Sequence, residues 1–224
     1  MKLAGRMLGS FLFSVGFFGV ALFLPAGTVD YWQAWTFIAI FVTTTLGPSL
    51  YLAVARPAAF ERRLKAGPTA ETRPIQRIVV TATVLSVVAM LVVSALDHRF
   101  GWSSVPVPVA VAGDVLVAVG LLAAQFVVIQ NGYAAATITV EAEQPLVSTG
   151  LYGVVRHPMY LGALIMMLGT PPALDSFWGL AVLPAGLLAL GVRIVDEEEM
   201  LTEELPGYDE YARRVRYRLV PGVW

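Results

Sequence analysis

Apolar positions in this chain come in blocks long enough to cross a hydrocarbon layer of about 30 Å, and short charged or proline-bearing stretches separate them. Residues 8–24 form the first block, closed by the turn-forming Pro25-Ala-Gly-Thr-Val-Asp30. The aromatic residues Tyr31, Trp32 and Trp35 then open a second span, expected over Trp32–Ala55, which Arg56-Pro57 ends because proline biases its predecessor away from helix. Residues 56–77 carry Arg56, Arg62, Arg63, Lys65, Arg73 and Arg77 and are expected to be a solvated loop. A third span is expected over 78–96, up to Asp97-His98-Arg99. A fourth is introduced by Pro106 and Pro108 and ends near Gln130-Asn131.

A long polar connection leads to Arg156, after which residues 159–194 are apolar again. The stretch Gly169-Thr-Pro-Pro-Ala-Leu-Asp175 sits inside that block and should divide it into two antiparallel spans. The expected fold is therefore all-α: a polytopic transmembrane bundle of six spans, or five if the break stays buried as a kink. It divides into four N-terminal helices (1–130), with a basic loop at 56–77, and a C-terminal region (131–224) built on a helical hairpin. The first block follows Lys2 and Arg6 as a signal peptide would. It runs too long and lacks a clear small-residue cleavage site, so it is read as a retained helix.

Composition agrees with a lipid environment: 57% of the 224 residues are hydrophobic and 14% charged, against about 25% charged in soluble domains. The net charge of -1 gives nucleic acid no electrostatic footprint. With no cysteine, the chain has no disulfide, thiolate metal site or cysteine nucleophile. Its two histidines have no carboxylate at metal-ligand spacing, so no metal site is expected. In the six-span layout, 14 of the 15 Lys and Arg fall on one side and Arg99 alone on the other. The termini and the 131–158 connection are thus expected to be cytoplasmic.

Polar residues crowd the two ends of the last hairpin. Arg156, His157 and Tyr160 precede it, while Arg193, Glu197 and Glu198 close it, so antiparallel helices return all six to one membrane face. Arg193 and Glu197, four apart, share a helix face and present a charged pair. Taken singly, each has a plain explanation: Arg156 as a membrane anchor, His157 as a surface imidazole, Tyr160 as an interfacial aromatic, Glu199 as part of a solvated acidic face. Asp114, Gln125 and Gln130 in or near the fourth span are polar positions at which function is the default hypothesis. For Asp114 an outer interfacial position is the alternative, and for Gln125 a bond across helices. His98 reads as an exposed loop residue.

Leu146-Val-Ser-Thr-Gly-Leu-Tyr-Gly-Val-Val-Arg-His-Pro-Met-Tyr160, then Arg193-Ile-Val-Asp-Glu-Glu198, Gly207-Tyr-Asp-Glu-Tyr211 and Arg218-Leu-Val-Pro221, resemble in order and spacing the isoprenylcysteine carboxyl methyltransferases and their phospholipid methyltransferase relatives. The resemblance covers roughly residues 131–221; the first four spans share only hydrophobicity. It implies an S-adenosylmethionine pocket contacted by Thr137, Gln144, Pro145, Leu146, Val147, Tyr152, His157, Pro158, Met159, Tyr160, Glu197 and Glu198. It also implies a substrate-facing Arg193, which with Glu197 forms the expected catalytic pair, and a lipophilic or amphiphilic acceptor reached from the bilayer. Gln144 departs from the histidine of the eukaryotic isoprenylcysteine enzymes, which weakens transfer of prenyl-cysteine specificity. Two other classes stand beside this one. Membrane sterol reductases share a related C-terminal architecture and take NADPH, but the connection before Arg156 offers Glu141 and Glu143 and no Lys or Arg for phosphates. A non-catalytic membrane accessory protein is the other. Nothing in the sequence sets the oligomeric state.

Overall fold

The computed structural model describes residues 2–64, 66–134, 137–141 and 144–224. Lys65 and Glu143 lie outside the described residues, as do the side chains of Lys2 and Arg6. Among the described residues, eight α-helices follow in order: α1 (Lys2–Ala26), α2 (Trp32–Ala55), α3 (Pro57–Leu64), α4 (Pro74–Phe100), α5 (Val107–Gln130), α6 (Pro158–Ala173), α7 (Leu183–Glu204) and α8 (Tyr208–Arg214). Short 3₁₀ turns at Pro68–Ala70, Gly150–Gly153 and Trp178–Val182 join them, and there is no strand among the described residues.

Among the described residues, five stretches are long and apolar enough to cross a membrane: Leu8–Ala26, Trp32–Ala55, Pro74–Phe100, Val107–Gln130 and Trp178–Glu204. Helix α6, with 16 residues, is only about 24 Å long. It nevertheless runs from end to end of the bundle, starting beside Glu198 and finishing beside the start of α2, where the Tyr31 hydroxyl donates to the Leu174 carbonyl. The expected break lies later than the proline pair. Pro171 and Pro172 remain inside α6, and the chain turns at Leu174–Phe177, where Asp175 takes φ 58°. This turn sits at the end of the bundle, so the last apolar block is a hairpin and not a kinked single span.

Asp97 ties that far end together. Its carboxylate accepts hydrogen bonds from the Ser103 amide (2.7 Å), the Ser103 hydroxyl (2.6 Å) and the Ser176 hydroxyl (2.6 Å), joining the end of α4 to the turn after α6. His98 is not an exposed loop residue as expected: it belongs to the last turn of α4, stacks on Tyr31 at 3.8 Å between ring centroids and lies 3.2 Å from Asp175. Charges at residues 97–99 did not stop the helix where the apolar pattern stopped, because these partners accommodate them.

Close approach of α5 and α6 depends on missing side chains. A Cβ on Gly113 would stand 2.5 Å from the Ala173 nitrogen, and one on Gly162 would stand 2.7 Å from the Gly120 carbonyl oxygen. Gly120 and Gly169 face the partner backbone in the same way. The two glycine pairs, each seven apart, let antiparallel backbones touch, which is how helices associate where lipid supplies no hydrophobic drive. Helix α7 lies against α4 instead, leaving the beginning of α6 and the end of α7 to frame a common space at one end of the bundle.

The 56–77 stretch is more than the expected solvated loop. Pro57–Leu64 forms an amphipathic helix that buries Ala59 and Phe60 against Leu52, Ala53 and Val128, and beyond it Glu71 and Gln76 are buried in the protein.

Candidate active site

Proline starts α6 at Pro158, where its missing N–H has no intrahelical partner to lose, and holds His157 just outside the helix. The preceding backbone is fixed by the C-terminal tail: the Arg156 and His157 amides donate to the Tyr217 and Arg218 carbonyls, both at 2.9 Å. Gln130, at the end of α5, donates to the Thr149 carbonyl (2.5 Å) and accepts from the Leu151 amide (3.3 Å), so it anchors the connection instead of serving a site within the membrane. The neighbouring Gly150 has φ 59°, and a Cβ there would meet the Gln130 amide, which would have to shift from its bonds.

Glu198 lies at the centre of an ionic cluster. Arg156 meets it through Nε and Nη2 at 2.7 and 3.2 Å, Arg218 Nε lies at 2.7 Å, and His157 Nε2 lies 3.1 Å from Oε1. Two guanidinium groups and an imidazole thus pin the end of α7 to the start of α6 and to the tail. Such a cluster is costly to break, since removing one partner leaves buried charge uncompensated.

The preceding residue along α7 faces a different way. Glu197 Oε2 accepts from the Tyr160 hydroxyl at 2.6 Å, and Arg193 Nε donates to that same hydroxyl at 2.8 Å. The expected Arg193–Glu197 pair is therefore relayed through Tyr160. Arg193 also donates to Glu71 Oε1 and Gln76 Oε1, both at 3.0 Å, while Gln76 and Arg73 hold Asp196. The segment expected to be solvent-facing supplies these partners, and Glu71 had no local signal marking it for this role.

A cleft opens at this end of the bundle, with an empty volume, its mouth included, of about 780 Å³. Its lining includes Thr137, Gln144, Pro145, Leu146, Val147, Tyr152, His157, Pro158, Met159, Tyr160 and Glu197. Of the expected cofactor residues, Glu198 is the one outside this lining, because its carboxylate is taken up by the ionic cluster. Arg193, expected to face substrate, is also outside it, buried and occupied behind Tyr160. Glu199 is exposed, with Arg73 at 3.8 Å.

Other lining residues come from outside the expected set, chiefly Asn131, Tyr133, Arg156, Tyr208 and Tyr211. Tyr208 and Tyr211 belong to the Gly207–Tyr211 motif, so the motif was visible although their place in a cleft was not. Tyr211 donates to the Tyr152 carbonyl at 2.8 Å, and Asn131 donates to the Tyr152 hydroxyl at 3.2 Å. Burial pushes the Tyr152 phenol up to about 12 and raises those of Tyr208 and Tyr211 as well, so all three are neutral donors at ordinary pH.

Known proteins resemble this region. Residues 109–207 match the phospholipid methyltransferase family. The match begins within α5, earlier than the resemblance read from the motifs, and ends at Gly207, before the Arg218–Pro221 motif. The phospholipid methyltransferase match takes in the α5–α6 glycine contact and most of the cleft. A Delta(14)-sterol reductase of Mus musculus is 35% identical over 94 residues, 39% of this chain and 22% of that protein. A nickel-cobalt-cadmium resistance protein of Alcaligenes xylosoxydans xylosoxydans is 26% identical over 129 residues, 57% of this chain and 58% of that protein. The chain thus spans less than two thirds of either relative.

Two features of the lining suit S-adenosylmethionine, the donor that such methyltransferases use. The Tyr208 hydroxyl is buried in the lining without a hydrogen-bond partner among the described residues, which is costly unless a ligand or water engages it. Glu197 offers a carboxylate whose Oε1 takes part in no hydrogen bond among the described residues. Groups able to receive an ammonium and a hydroxyl therefore converge on one cleft.

Proposed function

We propose that the protein is an integral-membrane methyltransferase that uses S-adenosylmethionine and methylates a lipophilic or amphiphilic acceptor. The observation that carries this reading is the convergence of His157, Pro158, Met159 and Tyr160 from the start of α6 with Glu197 from the end of α7 on one cleft, inside the stretch matching the phospholipid methyltransferases. When bound, S-adenosylmethionine supplies an electrophilic methyl group on a sulfonium. The protein needs no nucleophile of its own for such an in-line displacement. It has to hold two reactants aligned, an effect that contributes about 7–11 kcal/mol in favourable cases.

Glu197 would hold the ammonium of the donor's amino-acid part by a charge-assisted hydrogen bond. The neutral phenols of Tyr152, Tyr208 and Tyr211 offer hydroxyls and ring faces, the latter able to attract a cation by about 0.5–2 kcal/mol. Arg193 acts as a positioning residue: its bond to the Tyr160 hydroxyl turns that group toward Glu197 and fixes the carboxylate. His157, Arg156 and Arg218 hold Glu198 and thereby the geometry of the hairpin ends. The cleft lies at the end of the bundle that carries nearly all the basic residues, which supports a cytoplasmic opening for a polar donor.

Isothermal titration of the detergent-solubilised protein with S-adenosylhomocysteine tests the reading. The wild type binds, and Glu197→Gln weakens binding at least about tenfold, as loss of one hydrogen bond to a charged group predicts. Absence of binding to the wild type refutes the proposal. The sterol reductase likeness favours a nicotinamide-dependent reductase as a second reading. Among the described lining residues, however, the one guanidinium is Arg156, and Glu198 and two carbonyls already occupy it, which leaves the extra phosphates of that cofactor unmatched. The resistance-protein likeness gives a non-catalytic accessory role its place, and retained cellular function in Glu197→Gln would favour it.

A further inference from the structure

A second cavity, with an empty volume of about 920 Å³ including its mouth, lies between α1, α2, α3 and α5. Phe11, Phe41, Leu46 and Phe60 give it apolar walls, while Ser10, Ser14, Thr45, Ser49 and Gln125 add neutral polar groups. Leu12, Phe13, Leu46 and Leu50 are exposed on the same two outer helices, so the cavity borders the surface that faces lipid. Its α2 wall is locally loosened: Pro48 removes a backbone donor, and the Thr44 and Thr45 hydroxyls bond back to the Ile40 and Phe41 carbonyls at 2.6 Å each.

Among the described residues, one charged side chain, Arg63, closes this cavity at the end nearer the cleft. It has no carboxylate partner among the described residues; its one hydrogen bond there is from Nη1 to the Met159 sulfur, at 3.7 Å, a weak acceptor. Burial lowers its pKa, with no neighbouring anion to offset the effect. Arg62 beside it pairs bidentately with Glu141, so the two adjacent arginines have different surroundings. A desolvated guanidinium without a counter-ion is unfavourable to the fold. At the head of an apolar cavity, such a group is also an anion receptor whose planar fork matches carboxylate and phosphate oxygens. Met159 lines the first cleft too, so the guanidinium touches the wall between the two spaces.

We infer that this cavity binds an anionic amphiphile from the bilayer, with its headgroup on Arg63 and its apolar chain between α1 and α2. Taken with the methyltransferase reading on which this step rests, it places the acceptor's anionic group beside the Met159 wall of the cleft and gives to Arg63 the anion-recognising role that Arg193, already occupied, does not fill. The test is direct binding of oleate, dodecyl phosphate and the uncharged dodecanol to the full-length protein in a neutral detergent. The inference expects both anions to bind, with dodecanol at least tenfold weaker; Arg63→Gln should lose that preference. Arg63→Gln should also melt higher, since it removes an uncompensated charge, and should bind S-adenosylhomocysteine as the wild type does. If Arg63→Gln does not fold, Thr45→Phe, which fills the tail region, must weaken both anions while leaving S-adenosylhomocysteine binding unchanged. Equal binding of dodecanol and the anions, or full anion affinity in both variants, overturns the inference. Failure of S-adenosylhomocysteine to bind while the anions still bind would instead overturn the methyltransferase reading.

Discussion

Adjacent glutamates on α7 have opposite duties, and the difference follows from what each carboxylate touches. Glu198 holds Arg156, Arg218 and His157, whereas Glu197 meets Tyr160 on the cleft wall. Glu198→Ala should therefore destabilise the protein by about 3–5 kcal/mol, the scale for breaking a buried ion pair, seen as a lower melting temperature in detergent. Glu197→Gln keeps an acceptor for the Tyr160 hydroxyl and should melt close to the wild type while losing ligand affinity. Equal melting temperatures for the two variants would contradict this division. Sequence spacing could place both glutamates at the end of the hairpin, but not separate their roles, because a rotation of 100° per residue turns them toward different neighbours. Arg193 shows the same limit: its helical register with Glu197 was legible, while Glu71 and Gln76, more than a hundred positions away, were not.

The α5–α6 pair depends on glycine. Gly113 and Gly120 face Gly169 and Gly162 across an interface with no room for a methyl group. Gly120→Ala should push the helices apart or strain them, at a cost of about 1–3 kcal/mol; a lower melting temperature checks this, and unchanged stability would refute close contact at that point. Both seven-residue spacings were present in the sequence, although apolar periodicity alone gave them no weight. Helix α2 was legible to its ends, since aromatic residues open it and Arg56-Pro57 closes it. Helix α3 was hidden because three of its eight residues are charged, and its apolar face becomes apparent only when α2 and α5 are there to cover it. Helix α4 extends beyond its apolar core at both ends, for hydrogen bonds continue where hydropathy stops.

At the scale of the whole molecule, the hairpin brings the two polar ends of the C-terminal region together, and the tail seals them from outside through the Arg156 and His157 amides. The segments at the cleft end, including the start of α1 and the C-terminal tail, should share one membrane face with the 131–158 connection, while the Asp97–His98–Asp175 end lies on the other. The lack of native cysteine makes this easy to check. Lys2→Cys and Val223→Cys should react with a membrane-impermeant maleimide only when the cytoplasmic face is accessible, and Ser104→Cys only from outside. Labelling of all three from one side would contradict the arrangement. Charge distribution indicated this sidedness from the sequence, whereas the second cavity and the solitary Arg63 are tertiary properties that no local pattern announced.

Methyl transfer itself gives the sharpest test. Membranes containing the wild-type protein or Glu197→Gln are incubated with methyl-tritiated S-adenosylmethionine, and the organic extract is counted and resolved. The wild type should transfer label to an extractable amphiphile and Glu197→Gln should reduce that transfer at least about tenfold, in proportion to the lost charged hydrogen bond. Equal labelling by both proteins, or none above membranes lacking the protein, would contradict the assignment of this cleft as the site of methyl transfer.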